Sequence, residues 1–154
     1  MSAPYYNDLL SKLEAAIKTV LDALALTGTR GTDTAAVVSI LTGLDDDAAL
    51  LPRVTVHAIE TQSEEVRDSG IFNVKVQVHI HSHSADETLA THRTRVATVI
   101  DAIMQTDRAD VLSAAVTDFH CYDLQDLGPG AEPTGRAFHT IREFNAVCCP
   151  MTLT

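Results

Sequence analysis

Residues 71–83 read IFNVKVQVHIHSH, and this stretch decides the fold. Phe72, Val74, Val76 and Val78 alternate with polar side chains. Because successive side chains of a β-strand point to opposite faces, the alternation predicts a long strand with one buried face and one polar face. The buried face needs a second layer of structure to cover it.

Two amphipathic helices are predicted to supply that layer. Apolar residues recur every three or four positions from Pro4 to about Leu26, with Ser2 as a candidate N-cap and Thr27-Gly28 as the end of the helix. A second run at helical spacing follows the strand, over residues 84–104. Its apolar stripe comprises Leu89, Val96, Val99, Ile100, Ile103 and Met104, and Arg93, Arg95 and Asp101 lie off the stripe.

The other segments predict three more strands and a short helix. The strand signals are PRVTVHAIET (52–61), AAVTDFHCYDL (114–124) and RAFHTIREFNAVCCPMTLT (136–154), the last two paired across a turn at Gly128-Pro129-Gly130. TAAVVSILTG (34–43) predicts a helix capped by Asp33 and ended by Gly43. We therefore expect a single α+β domain over residues 1–154. It would hold a mostly antiparallel sheet of about four strands, with the helices mainly on one face.

Length and charge restrict the function. Eleven Lys+Arg stand against 21 Asp+Glu in 154 residues, a formal net charge of -10. Cationic side chains drive phosphate binding, so a role in gripping nucleic acid is disfavoured. The N-terminus lacks a cationic region followed by an apolar run, and no segment approaches the roughly 18 apolar residues of a membrane span. We expect a protein made and kept in a cytoplasm, without a membrane partner.

Three histidines form the sharpest local feature. His79, His81 and His83 lie two apart, so a strand would project all three imidazoles from one face, where they could close on zinc, copper or nickel. Asp86 or Glu87 could orient such ligands. An ordinary polar strand face, or a pH-sensitive contact between subunits, accounts for the same residues. We therefore predict no metal centre, and the alternative is a metal site formed by His79, His81 and His83.

The acidic run and the cysteines have simpler explanations. Asp45–Asp47 lacks the spacing of an EF-hand, which favours a solvated acidic loop over a calcium site. Cys121, Cys148 and Cys149 are odd in number and show no C-x-x-C spacing. We expect them to fill apolar space rather than to form a redox pair.

Sequence motifs of catalysis are missing. The chain contains no G-x-S-x-G elbow, Walker loop, H-E-x-x-H helix or G-x-G-x-x-G turn, so the common hydrolase and phosphate-binding scaffolds are not indicated. It has no tryptophan and only 5% aromatic residues, which leaves little material for stacking on bases or sugars. We predict a protein that is not an enzyme and needs no cofactor.

The order of these segments resembles the tail terminator family of tailed phages, also called tail-to-head joining or neck proteins. The resemblance covers roughly residues 5–153. It lies in the layout: an N-terminal helix, then PRVTVHAIE, QSEEVRDSG, IFNVKVQVHIHS, ADETLATHRTRVATVIDAIM and a late hairpin. It carries no catalytic residue.

The family resemblance implies a structural virion protein. Such a protein forms a ring, commonly a hexamer, that is assembled in the host cytoplasm. The ring sits on the last ring of tail tube subunits and faces the head connector. It stops tube growth and leaves a channel through which DNA passes without specific binding.

Two other functions stay open. The chain could be another neck, head-completion or tail tube-like protein, or, in a different class, a small metal-binding module that uses His79, His81 and His83. For the ring, the loops at residues 61–70 and 126–135 are long enough to reach neighbouring subunits.

Overall fold

The structure, a computed structural model, describes residues 3–43, 51–60, 72–105, 111–113, 119–129 and 138–150. The helices are α1 (Ala3–Asp22) and α2 (Leu89–Ile103). The strands are β1 (Thr27–Arg30), β2 (Asp33–Val37), β3 (Ser39–Thr42), β4 (Arg53–Glu60), β5 (Phe72–Ser82), β6 (Phe119–Pro129) and β7 (Phe138–Pro150). The predicted α+β class with an N-terminal helix is confirmed.

The main sheet has five strands in the order β3-β4-β5-β7-β6, and β1 and β2 form a separate two-stranded ribbon. Strand β3 runs parallel to β4, while the other three pairings are antiparallel. The sheet is thus mostly antiparallel as predicted, but it has five strands instead of about four, and the parallel pairing of β3 makes it mixed. The predicted pairing of the last two strands is confirmed, and β7 also pairs with β5 along the whole of β5.

The helix predicted at residues 34–43 is wrong, because these residues form β2 and β3. Val37, Val38 and Ile40 are β-branched, which favours extended backbone over helix. Asp33 does not cap a helix; its carboxylate accepts a hydrogen bond from the N–H of Ala35 within β2 (3.0 Å). Gly43 follows β3 with φ +76°, a conformation that glycine adopts readily.

Three predicted boundaries shift. Helix α1 ends at Asp22 and not near Leu26, so Thr27-Gly28 begins β1 instead of stopping the helix. Helix α2 begins at Leu89, and its N-cap is Thr88, whose Oγ1 accepts from the N–H of Thr91 (3.2 Å). Strand β6 continues past Leu124 to Pro129 and so includes the first two residues of the predicted turn, Gly128 and Pro129.

A β-bulge explains how β6 accommodates Gly128. The register with β7 shifts between Asp126 and Gly128. Gly128 has φ +93°, and its N–H donates to the carboxylate of Asp126 (2.8 Å). An extra residue in one strand bends and twists that strand without ending it.

The core lies between the helices and one face of the sheet. Both helices contact that face, α1 mainly at β3 and β4 and α2 at β5 and β7. The residues that are 0% exposed there include Leu9, Leu13, Ile17, Leu21, Val54, Val56, Val74, Val76, Val78, Ile80 and Phe144. Each large aliphatic side chain so buried contributes about 1.5–3 kcal/mol. Leu89, predicted to belong to the apolar stripe of α2, is instead 42% exposed.

Some predicted features lie outside the described residues. They are the N-cap at Ser2, the acidic run Asp45–Asp47, the loop at 61–70, the segment 114–118, the turn residues after Pro129 and the side chain of Cys149.

Candidate functional site

The face of the sheet opposite the helices is polar, and we call it the polar face. Its residues are Asn73, Lys75, Gln77, His79 and His81 of β5 and His139, Ile141, Glu143, Asn145 and Val147 of β7. All ten side chains are partly buried. Since α1 and α2 pack on the other face, this shielding comes in part from polar side chains that lie against one another.

A chain of hydrogen bonds connects β5 to β7 across the polar face. Gln77 Nε2 donates to Glu143 Oε2 (2.9 Å). Lys75 Nζ lies 3.6 Å from the same carboxylate oxygen. Gln77 Oε1 lies 3.2 Å from Nε2 of His79, and His79 Nδ1 lies 3.0 Å from Nε2 of His139.

The chemistry of the partners sets the direction of this chain. An ionised carboxylate only accepts, so Gln77 must donate through its amide nitrogen to Glu143 and accept through Oε1. His79 then carries its proton on Nε2. For two neutral rings, His139 Nε2–H consequently donates to the lone pair on Nδ1 of His79.

His81 completes a three-histidine cluster, which we define as His79, His81 and His139. His81 pairs directly with His139 across the strands, and their ring centroids are 3.7 Å apart. Nδ1 of His81 is buried without a hydrogen-bond partner. Arg53 of β4 lies opposite His81 on the other side and is only 5% exposed.

Burial and neighbouring charges hold two of these rings neutral. Burial, followed by the charges of His139 and Arg53, lowers the pKa of His81 to about 3. Burial, followed by the neighbouring His79 and Arg53, lowers the pKa of His139 to about 4. Near neutral pH both side chains are therefore uncharged imidazoles.

The structure does not bring together the predicted trio of His79, His81 and His83. His83 follows the end of β5, is exposed, and accepts a hydrogen bond on Nδ1 from the N–H of Ala85 (3.1 Å). His139 joins the other two histidines instead. Sequence reasoning missed His139 because only the β5–β7 register places it there.

The predicted orienting carboxylate has another role. Glu87 does not contact the cluster; both its oxygens bind the guanidinium of Arg95 (2.9 and 2.5 Å). These side chains are 1% and 4% exposed. Arg95, predicted to lie off the apolar stripe of α2, is thus buried. The bonds to Arg95 and to the N–H of Thr29 outweigh burial and lower the pKa of Glu87.

This ion pair belongs to a second polar network, inside the core. Arg95 also donates to Ser82 Oγ (2.8 Å), which lies 2.8 Å from His92 Nδ1. His92 Nε2 in turn lies 2.8 Å from Thr140 Oγ1. The network therefore joins the β1–β2 ribbon, α2, β5 and β7. Ser82 is 0% exposed, so the Ser82–His92 contact stabilises the fold and does not present a nucleophile to a substrate.

Other candidate sites are limited. Cys121 and Cys148 are buried, and they lie directly opposite each other on β6 and β7. Among the described residues, no group of three or more His, Cys, Asp or Glu side chains is arranged to hold a metal ion. No helix in the described part of the chain has both the length and the apolar character needed to cross a membrane.

Comparison with known proteins leaves the family open: no protein-family model matches this chain, and no curated protein matches it either.

Proposed function

We propose that this chain is a ring-forming structural subunit of a phage tail, a tail terminator that caps the tail tube and joins it to the head connector. The observation that carries the proposal is the long edge strand β6 (Phe119–Pro129). It spans 11 residues and lies at the end of the five-stranded sheet, next to β7. Near its start the N–H of Cys121 donates to Ser113 Oγ (2.9 Å), whereas Gln125, Asp126, Leu127 and Pro129 are exposed. The exposed end of an edge strand can offer backbone donors and acceptors to another chain.

The two edges of the sheet differ, so a contact that joins the β6 edge of one subunit to the β3 side of the next has the head-to-tail form that a ring needs. The other edge, β3, has four residues, runs parallel to its neighbour and lies beside α1. A contact between unlike surfaces is head-to-tail, and such contacts close into rings when the rotation between subunits permits. Leu127 adds an apolar contact at the β6 edge, where it is 51% exposed.

The charge of the chain suits a channel for DNA. A net charge of -10 in each subunit gives a ring an acidic field that repels phosphate. DNA could then pass without sticking to the wall. The two polar networks also suit this role, because they rigidify the sheet that would form the ring. A ring of this kind needs no active site.

A tail tube-like or other neck protein is the nearest competing function. A tube protein would stack into open polymers, whereas a terminator closes one ring, commonly of six subunits, and stops. The shape of the assembled species therefore separates the two.

A pair of leucine variants tests the role of the β6 edge. Leu127→Glu places a charge at the edge, so we expect light scattering to show loss of the large species. Leu89→Glu is the matched control, since Leu89 is also exposed and an acidic residue suits the first turn of α2. If both variants assembled equally well, the β6 edge would not be the contact between subunits.

A further inference from the structure

We propose that His79 and His139 together bind a divalent transition-metal ion such as Zn²⁺. This inference does not depend on ring formation, because it concerns a pair of side chains within one chain. It rests on the separation of two ring nitrogens, on the support behind one of them and on the shape of the cluster.

The distance between the two nitrogens suits shared coordination. Nδ1 of His79 and Nε2 of His139 are 3.0 Å apart. Two imidazoles bound to one tetrahedral zinc at about 2.0–2.1 Å place their nitrogens about 3.3–3.4 Å apart. A metal ion can therefore replace the hydrogen bond between the rings if they separate by a few tenths of an ångström and turn so that both nitrogen lone pairs point at the ion. The ring centroids are 5.2 Å apart, which leaves room for the ion.

The groups behind His79 resemble the outer shell of a metal site. A ligating histidine usually donates its other N–H to an oxygen, which fixes the tautomer and the ring orientation. Gln77 Oε1 provides that acceptor for Nε2 of His79 at 3.2 Å, and Glu143 holds Gln77 in turn. The lone pair on Nδ1 of His79 therefore points toward His139.

Binding requires one tautomer change and no net loss of protons. In the metal-free pair, Nε2 of His139 carries the proton that it donates to His79. On binding, that proton leaves Nε2 and one from solvent occupies Nδ1, so both ligands stay neutral imidazoles. Water molecules would complete the coordination sphere.

The geometry assigns the site to two histidines and not to three. The ring of His81 lies tilted against that of His139, with a centroid separation of 3.7 Å. That is shorter than the roughly 5 Å expected of two rings that radiate from one tetrahedral ion. His83 lies beyond the strand. With only two protein ligands, we expect the site to bind zinc more weakly than a site with three or four protein ligands.

Zinc titration of tag-free protein by calorimetry tests the proposal. We expect about one equivalent of Zn²⁺ per chain, and at least about tenfold weaker binding in His79→Gln and in His139→Gln. His83→Gln is the control and should bind zinc as the wild type does. Circular dichroism of each variant checks that it remains folded.

Nitrogen NMR of the wild-type histidine rings gives a second test that needs no variant. Zinc should shift Nδ1 of His79 and Nε2 of His139 and leave the ring of His83 unchanged. Uptake below about a tenth of an equivalent, binding that survives both glutamine variants, or shifts confined to other histidines would overturn the proposal.

Discussion

Nδ1 of His79 lies 3.0 Å from Nε2 of His139, although the two residues are 60 positions apart in the chain. The contact is diagonal, since His139 pairs directly with His81 and His79 pairs with Ile141. A slip of one residue between β5 and β7 would send one strand's histidines to the opposite face. The cluster is therefore a product of strand register.

Acid should destabilise the metal-free protein through this cluster. The pKa values of His81 and His139 are lowered to about 3 and about 4, and burial also lowers that of His92. In the unfolded chain a histidine titrates near 6.5. Between the folded and unfolded values the unfolded chain binds more protons, so stability rises with pH across that window. Nearby Arg53 and His79 oppose further positive charge.

Urea unfolding with a chelator present measures this effect. We expect the free energy of unfolding to be highest above about pH 6.5 and to decline toward pH 4. The lowered pKa of Glu87 adds a loss that begins about one pH unit above its ordinary value of 4.5, so the range above about pH 5.5 reports mainly on the histidines. His139→Gln should reduce the slope there, and His83→Gln should not. A flat profile between pH 6.5 and 4.5 in the wild type would contradict the account.

Removing the charge of Glu87 should destabilise the fold strongly. Glu87→Gln leaves the buried guanidinium of Arg95 without its counter-charge, which typically costs about 3–5 kcal/mol. Asp22→Asn removes the exposed pair with Lys18 (2.7 Å) and should cost about 0.5 kcal/mol or less. Denaturant unfolding compares the two. Similar small losses would show that the buried pair does not hold the fold together.

Gly28 should not tolerate a side chain. A Cβ at this position would lie 2.5 Å from Nη2 of Arg95, 2.8 Å from Pro52 Cγ and 2.9 Å from Oε2 of Glu87. The charged groups are fixed by their own ion pair, so we expect Gly28→Ala to cost about 1–3 kcal/mol in unfolding experiments. The loss should shrink when Glu87 and Arg95 are both alanine. Strict additivity of the three changes would argue against this contact.

Local pattern predicted much of the fold. The alternation in β5 gave a strand whose buried residues are the predicted ones, and helix α1 and the β6–β7 pairing followed from similar signals. Residues 34–43 were wrongly assigned to a helix. In so short a run, the apolar residues Ala36, Val38 and Ile40 do not distinguish the period of a helix from that of a strand. The β-branched residues of the run and the pairing of β3 with β4 favour strands over a helix. The pairing with β4 is a tertiary contact, which a local sequence pattern does not show.

The candidate site was less accessible to sequence reasoning. The spacing of His79 and His81 showed that they share a face, but the third member, His139, depends on a register that no local pattern contains. Arg95 was placed outside the core because a charged side chain is rarely buried unless it is paired. Its partner, Glu87, was placed inside the predicted helix (84–104) but lies before α2 begins, so helical periodicity did not show that the two side chains meet.

The solution mass of the wild-type protein, measured by light scattering over a range of concentrations and followed by negative-stain imaging, tests the proposed ring most directly. The proposal predicts a discrete large species that images as closed rings with a central channel. A chain that stays monomeric at every concentration, or that grows into open stacks, would contradict it.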